Sequence, residues 1–205
     1  MRKLLFASVA ALLAACGQPA QPDGAQQQAS APAVFPNLNA ASYRIEATIT
    51  NPVSGQASNV VQYRSGSNLR MEMPGATVLI NGETKEAVNL VTAGGRTVAM
   101  RVPLSNFDVG MQMQPEDVAA MALVGPCTGA GEIGSEWGRT NEAGSRSTGC
   151  LTADGILLKG TVDGKTTWET TSLARGPQDP ALFSVPAGVQ VMDLGGLAAK
   201  FGKAQ

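Results

Sequence analysis

Tyr43-Arg44-Ile45-Glu46-Ala47-Thr48-Ile49-Thr50 decides the fold class, because Tyr43, Ile45, Ala47 and Ile49 alternate strictly with Arg44, Glu46, Thr48 and Thr50. A period of two puts the apolar groups on one side of an extended chain and the polar groups on the other, as a half-buried antiparallel strand requires. Working outward, similar runs occur at Ala57–Arg64, Asn68–Met73, Ala76–Ile80, Glu86–Thr92 and Arg96–Val102. They are separated by Ser65-Gly66-Ser67, Pro74-Gly75, Asn81-Gly82 and Gly94-Gly95, residues that favour tight hairpins. A second set lies at Thr148–Thr152, Ile156–Val162 and Lys165–Ser172, interrupted by Asp154-Gly155 and Asp163-Gly164. The expectation is a mainly β domain built as an antiparallel meander, without βαβ alternation.

Two short helices are expected against one face of that sheet. In Pro115–Leu123, proline with Glu116 and Asp117 suits the positive end of a helix dipole, and Val118, Met121 and Ala122 form an apolar stripe. Near Leu194–Phe201, Leu194, Leu197, Ala198 and Phe201 fall on one helical face, although Gly195 and Gly196 weaken it. Val118, Met121, Leu197 and Phe201 could then fill the covered face without any ligand.

The 205 residues suit one domain plus tails. Only 15% are charged, with 15 basic against 16 acidic side chains, so binding nucleic acid through a broad basic field is excluded. Histidine is absent, which excludes Ser-His-Asp and Cys-His nucleophilic machinery and any imidazole metal site or pH switch. No carboxylate pair stands out: Asp108, Asp117 and Asp154 sit among turns and helix starts, and no calcium-loop spacing is present. The sequence therefore names no enzyme, cofactor or metal.

The N-terminus carries an address. Arg2 and Lys3 precede the apolar run Leu4–Leu13, which is too short to span a bilayer as a helix, so residues 1–15 are expected to be a signal peptide. Leu13-Ala14-Ala15-Cys16 resembles the lipobox of bacterial lipoproteins, and that resemblance implies a diacylglyceryl group on Cys16. Gly17 and Gln18 follow it rather than the aspartate of the best-known retention rule, which favours the periplasmic face of the outer membrane. Removing Arg2 and Lys3 with the signal leaves 13 basic against 16 acidic residues, a mildly acidic mature surface. Residues 16–40, rich in Gln, Pro and Ala, are expected to be a disordered tether with a coil span of roughly 25 to 30 Å, leaving 41–205 as the domain.

Several motifs point to structure. Gly129-Ala130-Gly131-Glu132-Ile133-Gly134 fits G-x-G-x-x-G but lacks a strand before it and a helix after it, and is expected to be a flexible loop. Gly160–Thr166 looks like a shortened phosphate loop whose Asp163-Gly164 marks a hairpin turn. Once Cys16 is acylated, Cys127 and Cys150 are the remaining cysteines, and an exported pair is expected to form a structural disulfide. Met71 and Met73, and again Met111 and Met113, form M-x-M pairs that could offer thioethers to Cu(I); Leu69 on the same strand face makes the first pair a core or pocket row instead. Trp137 and Trp168 are expected to pack in the core.

The block Leu69–Val102, LRMEMPGATVLINGETKEAVNLVTAGGRTVAMRV, resembles the core of the LolA/LolB-like lipoprotein-carrier fold, and Asp179–Asp193, DPALFSVPAGVQVMD, resembles the segment that closes several such domains. The resemblance implies an unclosed antiparallel half-barrel with short helices on an apolar concave face able to hold acyl chains. With aromatic residues at 4%, the lining would fall to Leu69, Met71, Met73, Val98 and Met100. The expected function is a non-enzymatic envelope lipoprotein, anchored in the outer membrane and facing the periplasm, that binds a hydrophobic ligand (a lipid or acyl chain) or a protein partner. The alternatives are a scaffold lipoprotein without ligand and a periplasmic Cu(I)-binding protein.

Overall fold

In the computed structural model, residues 34–102 and 118–193 are described. The expected signal peptide, Cys16 and most of the tether lie outside them, as do Asp108, Met111, Met113, Pro115–Asp117 and Leu194–Phe201.

The chain lays down β1 (Ser42–Thr50), β2 (Ala57–Ser65), β3 (Asn68–Met73), β4 (Ala76–Asn81), β5 (Glu86–Ala93) and β6 (Arg96–Val102) as one meander. A second meander runs through β7 (Ala122–Gly129), β8 (Glu132–Thr140), β9 (Arg146–Leu151), β10 (Leu157–Val162) and β11 (Lys165–Arg175). Antiparallel pairing of β1 with β11 fuses the two, and β12 (Val191–Asp193) adds in parallel beside β6. The result is one unclosed 12-stranded sheet in the order β12-β6-β5-β4-β3-β2-β1-β11-β10-β9-β8-β7.

Turn chemistry accounts for the short connections. Gly94-Gly95 and Asp163-Gly164 both hold two successive positive-φ residues, the geometry that matches the right-handed twist of hairpin strands. The β4–β5 turn differs from the expected Asn81-Gly82 pair. Asn81 Oδ1 accepts from the backbone N–H of Glu83 and of Thr84, both at 3.0 Å, and the positive φ falls on Lys85. Gly82 is needed for closeness instead, since a Cβ there would lie 2.4 Å from Ser67 Cβ.

Three expectations are corrected. Gly129–Gly134 is no flexible loop: Ala130 and Gly131 turn the β7–β8 hairpin with positive φ, and the flanking residues pair in register. Of the helix expected over Pro115–Leu123, residues 118 and 119 are helical, but Ala122 and Leu123 already pair with Gly138 and Trp137 of β8. Of the tether expected over residues 16–40, the described residues 34–40 contact the sheet, with the ring of Phe35 5.2 Å from that of Trp137.

The main core lies on one face of the β1–β5 region, where Ala47, Val60, Leu69, Met71, Val78, Ile80 and Ala87 pack together and Ile49, Met73, Val102 and Trp168 border them. Tyr43, Ile45 and Ile156 continue it toward β10. The opposite face of β4–β6 carries Leu79, Leu90 and Ala99, covered by Val185 and Val189. That cover comes from the segment after β11, which enters through a single 3-10 turn, Pro180–Phe183. Asp179 caps the turn, and its Leu182 carbonyl accepts from Arg70 Nη1 at 3.0 Å. Among the described residues, the element packed on β3 and β4 is therefore this turn rather than an α-helix.

At its other end the sheet curls. Neighbouring strands stand about 4.8 Å apart, so β7 and β9, with β8 between them, would lie near 10 Å apart if flat. The Cys127–Cys150 disulfide holds their Cα atoms at 5.9 Å.

Candidate functional site

The register sorts the five expected lining residues onto one face. Tyr43, Arg64, Leu69, Ile80, Ala87 and Val102 form one row across β1–β6. Ile45, Gln62, Met71, Val78, Asn89 and Met100 form the next, extended by Met192 of β12. Met73, Ala76, Val91 and Val98 form a third. Leu69, Met71, Met73, Val98 and Met100 thus share a face but not a cavity. Leu69 and Met71 are spent in the core at 1% and 3% exposure, whereas Val98 at 39% and Met192 at 41% are open near the β6 edge. The face is a gradient from sealed core to exposed apolar edge.

Polar groups interrupt it at particular points. Tyr43, Gln62 and Arg64 are all buried, and Gln62 Nε2 donates to Tyr43 Oη at 2.9 Å. Arg64 donates from Nε to the Gly66 carbonyl at 3.0 Å and from Nη2 to Asn39 Oδ1 at 2.6 Å. Burial pushes the Tyr43 phenol above its ordinary pKa, and the nearby Arg64 guanidinium offsets part of that rise. Between Val78 and Met100, Asn89 Oδ1 is buried and has no hydrogen-bond partner. A carbonyl oxygen left so on an apolar face costs about 1 to 3 kcal/mol unless a donor arrives from outside the fold.

Among the described residues, cavities also lie in the other half. One of about 230 Å³ is lined by the disulfide, Thr128, Glu136, Thr148, Lys159 and Thr161. In it the Thr148 hydroxyl donates to Glu136 Oε1 at 2.7 Å and shares a 2.9 Å contact with Thr161 Oγ1. Another, about 370 Å³, runs along the β7–β8 edge between Leu123, Val124, Arg139 and Arg146. Among the described residues no group of three acidic or cysteine side chains is placed to hold a metal, and no helix is long and apolar enough to cross a membrane.

Cys127 and Cys150 are joined as expected. Cys16 lies outside the described residues, as do Met111 and Met113, while Met71 is sealed in the core. Sequence reasoning missed the Tyr43–Gln62–Arg64 group. Its signal was available: Gln62 and Arg64 follow Val60 at intervals of two, and so share the face that Val60 gives to the core. Asn89 carries the same signal between Ala87 and Val91.

No family of known proteins matches the chain, and no curated protein does. Solved structures do. An uncharacterized conserved protein from Thermus thermophilus superposes with a TM-score of 0.51 at 14% identity, over 75% of this chain and 91% of its own. PNGF-II superposes at 0.49 with 12% identity over 79% of this chain, which spans 32% of PNGF-II. Pseudomonas aeruginosa MucB, solved in complex with MucA, superposes at 0.46 with 18% identity, over 75% of this chain and 59% of that one. The Thermus protein shares the fold over nearly its whole length; likenesses of this depth do not carry function.

Proposed function

We propose that this chain is a non-enzymatic envelope lipoprotein with a LolA/LolB-like open sheet, held at the periplasmic face of the outer membrane by an acylated Cys16. Its exposed apolar face beside β6 binds a hydrophobic small molecule carrying a hydrogen-bond donor. The observation that carries the reading is Asn89 Oδ1, a buried acceptor without a partner on a face that runs outward to Val98, Met100 and Met192. A site that is mostly apolar with a few placed polar groups is the usual design for such ligands. The donor would be a hydroxyl or amide N–H, and the apolar body would lie along Val91, Val98 and Met100.

The test is native mass spectrometry of the full chain purified from its own envelope, with organic extraction of the same sample. An apolar adduct at about one per chain, lost in Met100→Asp, is expected. A chain without adduct, or an adduct unchanged in Met100→Asp, overturns the ligand reading, and a polypeptide recovered in its place makes the occupant a protein partner. Palmitate labelling that is lost in Cys16→Ser tests the anchor separately.

A further inference from the structure

Register lays a row of chemically unlike side chains across the second meander. Glu136 of β8 stands opposite Cys150 of β9, Cys150 opposite Lys159 of β10, and Lys159 opposite Glu169 of β11. The adjoining row sets Thr148 opposite Thr161. The disulfide brings β7 against this face, with the Cys127 and Cys150 Cα atoms 5.9 Å apart. Cys127 and Thr128 of β7 thereby border a cavity of about 230 Å³ that Glu136, Thr148, Lys159 and Thr161 line from the sheet. Pockets for drug-sized ligands run to about 300–1,000 Å³, so this one suits a smaller molecule.

The hydrogen bonds inside the cavity give it two unlike ends. Thr148 has one hydroxyl hydrogen, and it goes to Glu136 Oε1 at 2.7 Å. The 2.9 Å contact between Thr148 and Thr161 must therefore use the Thr161 hydrogen. With both hydrogens committed toward the carboxylate, Glu136, Thr148 and Thr161 offer the cavity acceptors only. Lys159 offers donors only, three N–H groups on an ammonium. Among the described residues its Nζ has no hydrogen-bond or ion-pair partner, although Glu136 lines the same cavity and Glu169 faces it in the ladder. A carboxylate and an ammonium that share one small cavity without reaching each other leave both ends open to a ligand.

We propose that this cavity binds a small zwitterion, an amino acid whose ammonium donates to Glu136 and the threonine oxygens and whose carboxylate accepts from Lys159. The ligand class follows from the two ends. An ammonium brings several N–H donors to a wall that only accepts, and a carboxylate brings acceptors to a side chain that only donates. A polyol satisfies the accepting wall but leaves Lys159 without an anion, and an acid lacking an amine satisfies Lys159 but carries its charge toward that of Glu136. Hydrogen bonds with an ionised partner are about twice as strong as neutral ones, so the zwitterion gains at both ends. The site lies between β7 and β10 and is independent of the apolar site proposed beside β6.

The experiment uses the full chain and saturation-transfer NMR with L-alanine, β-alanine and 4-aminobutyrate, which separate ammonium from carboxylate by increasing lengths of carbon chain. Ethylamine and propionate, each carrying one of the two charges, are the controls. Saturable binding of at least one amino acid at or below about 10 mM is expected, with neither control binding. Glu136→Gln, which keeps the shape and removes the charge, and Lys159→Gln are each expected to weaken that binding by about tenfold or more without changing the thermal melt. No binding of any of the three amino acids up to that concentration overturns the proposal. A control that binds as tightly as the amino acid overturns it too, as does an affinity indifferent to either substitution. If Glu136→Gln lowers the melt, Lys159→Gln, at an exposed position, decides alone.

Discussion

Gly134 carries no side chain because the curl of the sheet leaves no room for one. A Cβ there would lie 2.5 Å from the Leu151 carbonyl oxygen and 3.2 Å from Cys150 Sγ. Because the nearest atom is backbone, relief requires moving β9, and Gly134→Ala is expected to cost about 2 kcal/mol in urea unfolding. Leu69 presents the opposite case: it is 1% exposed in the main core, so Leu69→Ala removes packed volume without room for collapse and is expected to cost about 3 kcal/mol in the same assay. Alternation in the sequence already placed Leu69 and Met71 on an inward row. It could not reveal Gly134, whose role exists only because β7 and β9 meet across β8. Nor did it weigh Arg64, a charged residue at an inward position whose guanidinium donates to Asn39 of the segment before β1.

At the scale of elements, the strands of the first meander and β9–β11 were legible because each has period-two patterning bounded by Gly or Asx turns. β7 and β8 were not. Ala122–Gly129 contains Gly125, Pro126 and Gly129, has no sustained apolar row, and is mostly exposed. It is extended because β8 pairs with it on one side and the disulfide pins it to β9, a tertiary constraint invisible to local propensity. Closing the loop between positions 23 apart is worth about 3 kcal/mol in the chain-entropy model. Cys127→Ser/Cys150→Ser is therefore expected to lose about that much stability. Hydrogen exchange should show amides of β7 and the facing residues of β8 losing protection, while β1–β6 keep theirs. Uniform loss across both meanders would mean that β7 does not open separately.

For the molecule as a whole, the second meander is tied at one end by Arg175. It reaches Asp154 from Nε at 2.7 Å and Glu132 from Nη1 at 3.0 Å, joining the end of β11 to the β9–β10 turn and the start of β8. Hydrogen bonding from Arg175, aided by the Thr152 hydroxyl, holds the Asp154 carboxyl down at about 2. The same contacts raise Arg175, which stays charged at every accessible pH and adds no titration of its own. A carboxylate depressed in the folded state stabilises it fully above the unfolded value, ordinarily about 3.9, and that stability is lost as pH falls through the folded value. The side chain is 37% exposed, so solvent screening reduces its contribution to about 1 kcal/mol. Stability measured by urea titration is expected to be flat down to pH about 4 and to fall between there and about 2. Asp154→Asn should be less stable at neutral pH and show a shallower acid limb, because the group that titrates is gone. Tyr43 gives the alkaline counterpart: burial raises its pKa, so the neutral phenol is favoured in the fold, and its contribution is lost as pH rises beyond the ordinary tyrosine range toward the folded value. Tyr43→Phe should flatten that limb while leaving the acid limb as it was. An acid limb that moves with Tyr43→Phe would mean that the Tyr43 ring helps hold the Arg175–Asp154 pair in place, because Tyr43 stands opposite Arg175 in the β1–β11 ladder and the Asp154 carboxylate is among the groups that raise its pKa.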